Sequence, residues 1–236
     1  MASEEKDQEK PKSKKTCWIL GICILILVLI VGAIFIVRSI SKTSQDEEDV
    51  KMSQADLVDY FVDLTTVYPG VDREMKVIKW EKSPVTVSIE DQAPGGGEEA
   101  LSNFISTFNN NSTEVKLERV QKDGDIKIYF QTPISSAGSA GPSTGADFAI
   151  DNAKIVLSEN AAMFQQSLDS VLSHEMFHTL GFTGHYSGSV CRLMSKSVCG
   201  SHMTENEEEL IKMMYSGNLP SGSDKTQIRA FFQNQN

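Results

Sequence analysis

Between His174 and His185 the chain reads His-Glu-Met-Phe-His-Thr-Leu-Gly-Phe-Thr-Gly-His, three imidazoles and one carboxylate in a run of twelve residues. On a helix of 3.6 residues per turn, His174 and His178 project from one face about 6 Å apart, so two neutral rings can share one metal ion. Glu175 stands beside them, placed to take a proton from water rather than to bind the metal. Past His178 the helix must stop and the chain turn back for a third ligand to reach the ion. Gly181, which tolerates positive φ, suits that stop, and His185 follows the turn. Three protein ligands with an open fourth position point to one Zn2+ as cofactor, which would bring the pKa of a water to roughly 7 and polarise a carbonyl. The reaction this implies is peptide-bond hydrolysis, with Glu175 as general base.

The chain holds 4 histidines in 236 residues. A chance H-E-x-x-H is then expected in roughly one such sequence in a hundred or fewer, which argues against scattered surface imidazoles. Competing third ligands are His202 and one of Glu205, Glu207, Glu208 or Glu209. Those glutamates also suit the start of a helix, where the dipole favours negative charge.

The segment resembles the signature of the metzincin metallopeptidases, H-E-x-x-H-x-x-G-x-x-H. His174, Glu175, His178 and Gly181 are in register, and the last histidine is one residue late: Gly184 stands at the family's third-ligand position and His185 follows it. Over roughly Val85 to Tyr215, the resemblance implies a twisted mixed sheet behind an active-site helix, an edge strand lining the substrate cleft, and a C-terminal helix. It also implies a methionine on a tight turn beneath the metal, for which Met194 in Arg192-Leu193-Met194-Ser195 is the candidate. Some family features have no counterpart. The only cysteines ahead of the domain, Cys17 and Cys23, lie at or in an apolar run, and the loop from Ile134 to Gly145 has no histidine for further metal sites. Lys196 stands where astacin-like members carry a tyrosine ligand.

The elements that must position these residues follow from pattern. Val85–Ile89, Val115–Val120, Ile126–Phe130, Ala146–Ile150 and Lys154–Leu157 read as strands, with Met75–Trp80 as a further β-prone run and Lys122-Asp123-Gly124-Asp125 as a hairpin-like turn. Residues 98–109 and 164–180 read as helices, the second carrying the first two ligands. A last helix starts near Met203-Thr204-Glu205-Asn206, with Leu210, Ile211, Met214 and Tyr215 as its apolar stripe. A small sheet combined with a few helices makes the expected fold class α+β. Leu57, Tyr60, Phe61, Leu64 and Val67 recur at helical spacing and suggest a juxtamembrane helix with a docking face.

Ahead of all this, Trp18 to Val37 is an apolar run preceded by Lys10, Lys12, Lys14 and Lys15. About 20 residues at 1.5 Å each cover a hydrocarbon core of about 30 Å. The expected organisation is a cytoplasmic tail over 1–15, one transmembrane helix over 16–38, a linker and juxtamembrane helix over 39–70, and an extracytoplasmic domain over 71–236, oriented by the lysine excess. In an oxidising compartment, Cys191 and Cys199 on either side of the proposed methionine turn are expected to form a disulfide. The formal charge of −10 disfavours nucleic acid. The expected partners are a protein or peptide substrate and the membrane. The reading from another class is a non-catalytic zinc-containing module that binds other surface molecules.

Overall fold

The computed structural model describes residues 51–68, 74–132, 136–160, 167–188, 190–196 and 203–234. They belong to a compact unit, Glu47–Asn236. The tail, the apolar span over 16–38, Cys199 and His202 lie outside the described residues. Among the described residues no helix is long and apolar enough to cross a membrane.

The unit is α+β. In chain order its elements are α1 (Gln54–Thr66), β1 (Val85–Ile89), α2 (Gly97–Asn111), β2 (Leu117–Arg119), β3 (Ile126–Gln131), β4 (Gly138–Thr144), β5 (Ile150–Ser158), α3 (Leu168–Thr179), α4 (Glu205–Tyr215) and α5 (Lys225–Gln233). The strands form one five-stranded sheet in the order β2-β1-β3-β5-β4. The first three pairings in that order are parallel, and β4 joins β5 antiparallel at the edge.

Three sequence expectations change here. The turn at Lys122–Asp125 makes no hairpin, because β1 lies between β2 and β3 and runs parallel to both. Met75–Trp80 contributes one isolated bridge, Lys79 to Ala149, rather than a strand. Gly138–Thr144, a Gly/Ser-rich part of the expected loop from Ile134 to Gly145, becomes β4, while Ala146–Ala149 forms the turn into β5. Glycine and serine have little strand propensity of their own, so it is the open side of β5 that makes this segment extended.

Parallel strands covered by helices are expected to be apolar on most positions. β1 is buried at Val85, Val87, Ser88 and Ile89, and β3 at Ile126, Ile128 and Phe130. Helix α2 packs on α3 through Phe104 and Phe177, whose rings meet edge to face at 6.1 Å. Trp80, fully buried, donates its indole N–H to the Thr179 carbonyl at 2.9 Å, and the Tyr215 hydroxyl donates to the Leu180 carbonyl at 2.8 Å. The C-terminal end of α3 is therefore held from two sides.

The helix anticipated as a docking surface is instead part of this core. Leu57, Tyr60, Phe61 and Leu64 of α1 are buried, while Val67 is half exposed. Phe61 lies edge to face with Phe182 at 5.9 Å and with Phe232 of α5 at 5.6 Å. Truncating Phe61→Ala removes a fully enclosed ring that joins three segments, and the expected loss is about 3–5 kcal/mol, read from urea unfolding midpoints. Helix α5 was not anticipated from sequence, although Asp224 and Gln227 form a reciprocal capping box at its start and Ile228 and Phe232 make its buried stripe.

Candidate metal centre

Helix α3 begins at Ser167, whose hydroxyl accepts from the Ser170 N–H, and carries His174, Glu175 and His178 on buried turns. It stops where Gly181 was expected to stop it. Gly181 has φ +98°, its N–H donates to the His178 carbonyl at 3.2 Å, and the Phe182 N–H reaches back to the Phe177 carbonyl at 3.2 Å. The Phe177 and Phe182 rings lie 5.0 Å apart, which completes a Schellman motif with its hydrophobic contact. A Cβ at Gly181 would sit 2.0 Å from the Ile78 carbonyl oxygen, so no side chain fits there.

The stop also orients an imidazole. His178 Nδ1 lies 2.7 Å from the Phe182 carbonyl oxygen, and His174 Nδ1 lies 2.6 Å from that of Leu193. Both partners are acceptors, so both Nδ1 atoms carry the proton, and both Nε2 atoms are left with bare lone pairs. Those two Nε2 atoms are 3.1 Å apart. In this tautomer neither can donate to the other, and facing lone pairs repel unless a cation sits between them. Two imidazole nitrogens on one tetrahedral ion, each about 2.0–2.1 Å from it, would be roughly 3.3 Å apart. Protonation offers little relief: burial pushes His178 down to about 3 and His174 down to about 4.

His185 completes the set, and the ligand nitrogens of the three histidines lie within 4.8 Å of one another. Its Nδ1 is buried without a hydrogen-bond partner. Burial lowers its pKa first, and the Lys196 ammonium lowers it further. The donor set is thus three neutral imidazoles, and it fits a metal ion.

Why the third imidazole comes one residue late is visible in the loop. The Gly184 N–H donates to the Leu64 carbonyl at 2.8 Å and the Thr183 hydroxyl to that of Val67 at 3.1 Å, tying the loop to the end of α1. A Cβ at Gly184 would fall 2.3 Å from the Asp63 carbonyl oxygen. Position 184 faces α1 too closely for any side chain, and His185 is the next residue able to reach inward.

Leu193 and Met194 occupy a turn in which the Ser195 N–H donates to the Arg192 carbonyl at 3.1 Å, and both side chains are buried. The Met194 carbonyl accepts the Tyr186 N–H at 2.7 Å, so this turn and the His185 loop are joined directly. Arg192 lies over the rings of Tyr186 and Tyr60 at 5.2 and 5.5 Å. From sequence α1 is expected only as a docking face, and Tyr186 has no assigned role.

Glu175 is almost fully buried, and burial pushes its carboxyl up to about 7. Gly138 at the start of β4 gives it room, since a Cβ there would lie 2.8 Å from Glu175 Cγ and Oε1. Glu175 and the three histidines open onto a cavity of about 450 Å³, walled by Ser136–Ala140 of β4 and its approach, Val171 and Lys196. A neighbouring cavity of about 250 Å³ shares Ala140, His178 and His185 and adds Tyr68, Pro142 and Thr183. One cleft therefore runs along the edge strand past the histidines.

The competing glutamates are engaged elsewhere. Glu207 accepts from the Thr204 N–H at 3.1 Å and the Tyr60 hydroxyl at 3.2 Å, and Glu208 from the Asn111 amide at 3.2 Å. Glu209 pairs with Lys212 at 2.6 Å and Glu205 with Lys51 at 3.6 Å. Cys191 is disulfide-bonded, but its expected partner Cys199 lies outside the described residues. No protein-family model matches the chain, and no curated protein matches it significantly, so the centre is read from its own geometry.

Proposed function

We propose that this chain is a membrane-anchored, zinc-dependent endopeptidase of metzincin type, its catalytic domain extracytoplasmic. The observation that carries the reading is the pair of Nε2 lone pairs 3.1 Å apart, joined by a third imidazole on a cleft that Glu175 also lines. His174, His178 and His185 would hold one zinc ion. When bound, that ion supplies a Lewis acid, which acidifies water and polarises a carbonyl.

The chain's own residues do the rest. The Leu193 and Phe182 carbonyls fix the tautomer and direction of the two helical imidazoles. The outer edge of β4 offers backbone groups along which an extended peptide can pair, and Gly138, Ser139 and Ala140 are small enough to let it approach. Glu175 takes the proton of the attacking water and delivers it to the leaving amine nitrogen as the C–N bond breaks. A carboxyl whose surroundings disfavour its charge is suited to both transfers. In this reading Met194 provides the methionine turn, and a Cys191–Cys199 disulfide closes the loop around it.

The test is metal content and cleavage together. The full-length protein is expected to carry one zinc per chain and to cut an unbiased peptide mixture. Cutting should stop with a chelator and return when zinc is restored. Zinc without cleavage would leave the non-catalytic binding module as the better reading, and a chain that takes up no zinc would overturn both.

A further inference from the structure

We propose that Lys196 selects the substrate: it is a specificity residue that favours peptides carrying an acidic side chain close to the scissile bond. The inference rests on the peptidase reading above and deepens it. Along both cavities of the cleft, the only charged side chains among the described lining residues are Glu175 and Lys196. Glu175 is buried beside the histidines and committed to proton transfer, whereas Lys196 is exposed at the wall.

Lys196 projects from an anchored point. Ser195 before it is buried, donates its N–H to the Arg192 carbonyl, and forms a parallel bridge with Tyr186. Lys196 lines the same cavity as His185. Lys196 enters none of the ion pairs found among the described residues. The wall formed by β4, Gly138-Ser139-Ala140, offers small neutral side chains and cannot discriminate by charge. A carboxylate on the peptide would neutralise Lys196, and a cationic side chain would be repelled by it.

The experiment is peptide binding to the full-length Glu175→Ala protein, in which turnover is expected to be strongly slowed and Lys196 stays in place. Two fluorescent hexapeptide pools that differ only in Glu against Gln at one position serve as probes. The Glu pool is expected to bind roughly fivefold more tightly, the upper end for an exposed pair, and the ratio should shrink at high salt. Lys196→Ala should bring the ratio close to one. Lys196→Glu should reverse it and favour a Lys pool, which a merely structural role would not do. Equal ratios in all three proteins, or no binding of any pool, would overturn the proposal. A Lys196-dependent ratio in a protein whose parent never cuts peptides would overturn the peptidase reading alone.

Discussion

Glu175→Ala should lower peptide turnover by about 10²- to 10⁴-fold, the usual contribution of a positioned general base, while zinc remains bound. The two halves of that result come from different parts of the site. The three imidazoles are oriented by the Leu193 and Phe182 carbonyls and by the Gly184 loop, through hydrogen bonds that do not involve the Glu175 carboxylate. Metal retention is therefore expected, and metal analysis of the purified variant checks it. Turnover is expected to depend on a carboxyl that lines the same cavity as the histidines, in a space kept open by Gly138. Replacing Glu175 by alanine leaves water with no group to receive its proton. Retained turnover would sink the assignment of Glu175, and lost zinc would mean that the carboxylate holds the centre together rather than acting on water.

The second large effect concerns the third ligand. Altering groups that merely orient a metal ligand commonly costs 10- to 100-fold in affinity, so His185→Ala, which deletes a ligand outright, should cost more than about 100-fold. Competition with a fluorescent zinc chelator measures this. The double variant Gly184→His with His185→Gly would restore the metzincin spacing, yet it is not expected to rescue binding. A side chain at 184 would have to occupy space 2.3 Å from the Asp63 carbonyl oxygen, forcing the loop off the end of α1. Rescue by the double variant would show that the late histidine is a matter of chance spacing rather than of contact with α1. Unchanged affinity in the single variant would point to His202 instead.

Much of the centre was legible because it is local. An i, i+4 pair of histidines on a helix is neighbourly whatever the rest of the chain does, and a glycine three residues on ends the helix through its own φ. Helices α2, α3 and α4 were likewise readable from period and capping, since their hydrogen bonds close within a few residues. Helix α5 was equally local, with a capping box and a two-residue stripe, but at nine residues it is too short for a strong period.

The sheet was not legible to the same degree. A turn of the Lys-Asp-Gly-Asp kind is compatible with a hairpin, and nothing near it reports that β1, from earlier in the chain, will separate β2 from β3. The same holds for β4, whose Gly-Ser-Ala-Gly-Pro-Ser-Thr sequence has no alternation and becomes a strand by pairing with β5.

The sequence by itself determined the chemistry on offer: two histidines and a glutamate on one helix, a glycine stop, and a third histidine within reach. Only the tertiary structure decided that His185 joins them, that Gly184 is excluded by α1, and that β4 and Lys196 wall the cleft. The division has a physical cause. Helical spacing and positive φ depend on residues a few places apart, whereas a cleft is made where segments distant in sequence meet. Such meetings are decided by which apolar faces and strand edges find one another.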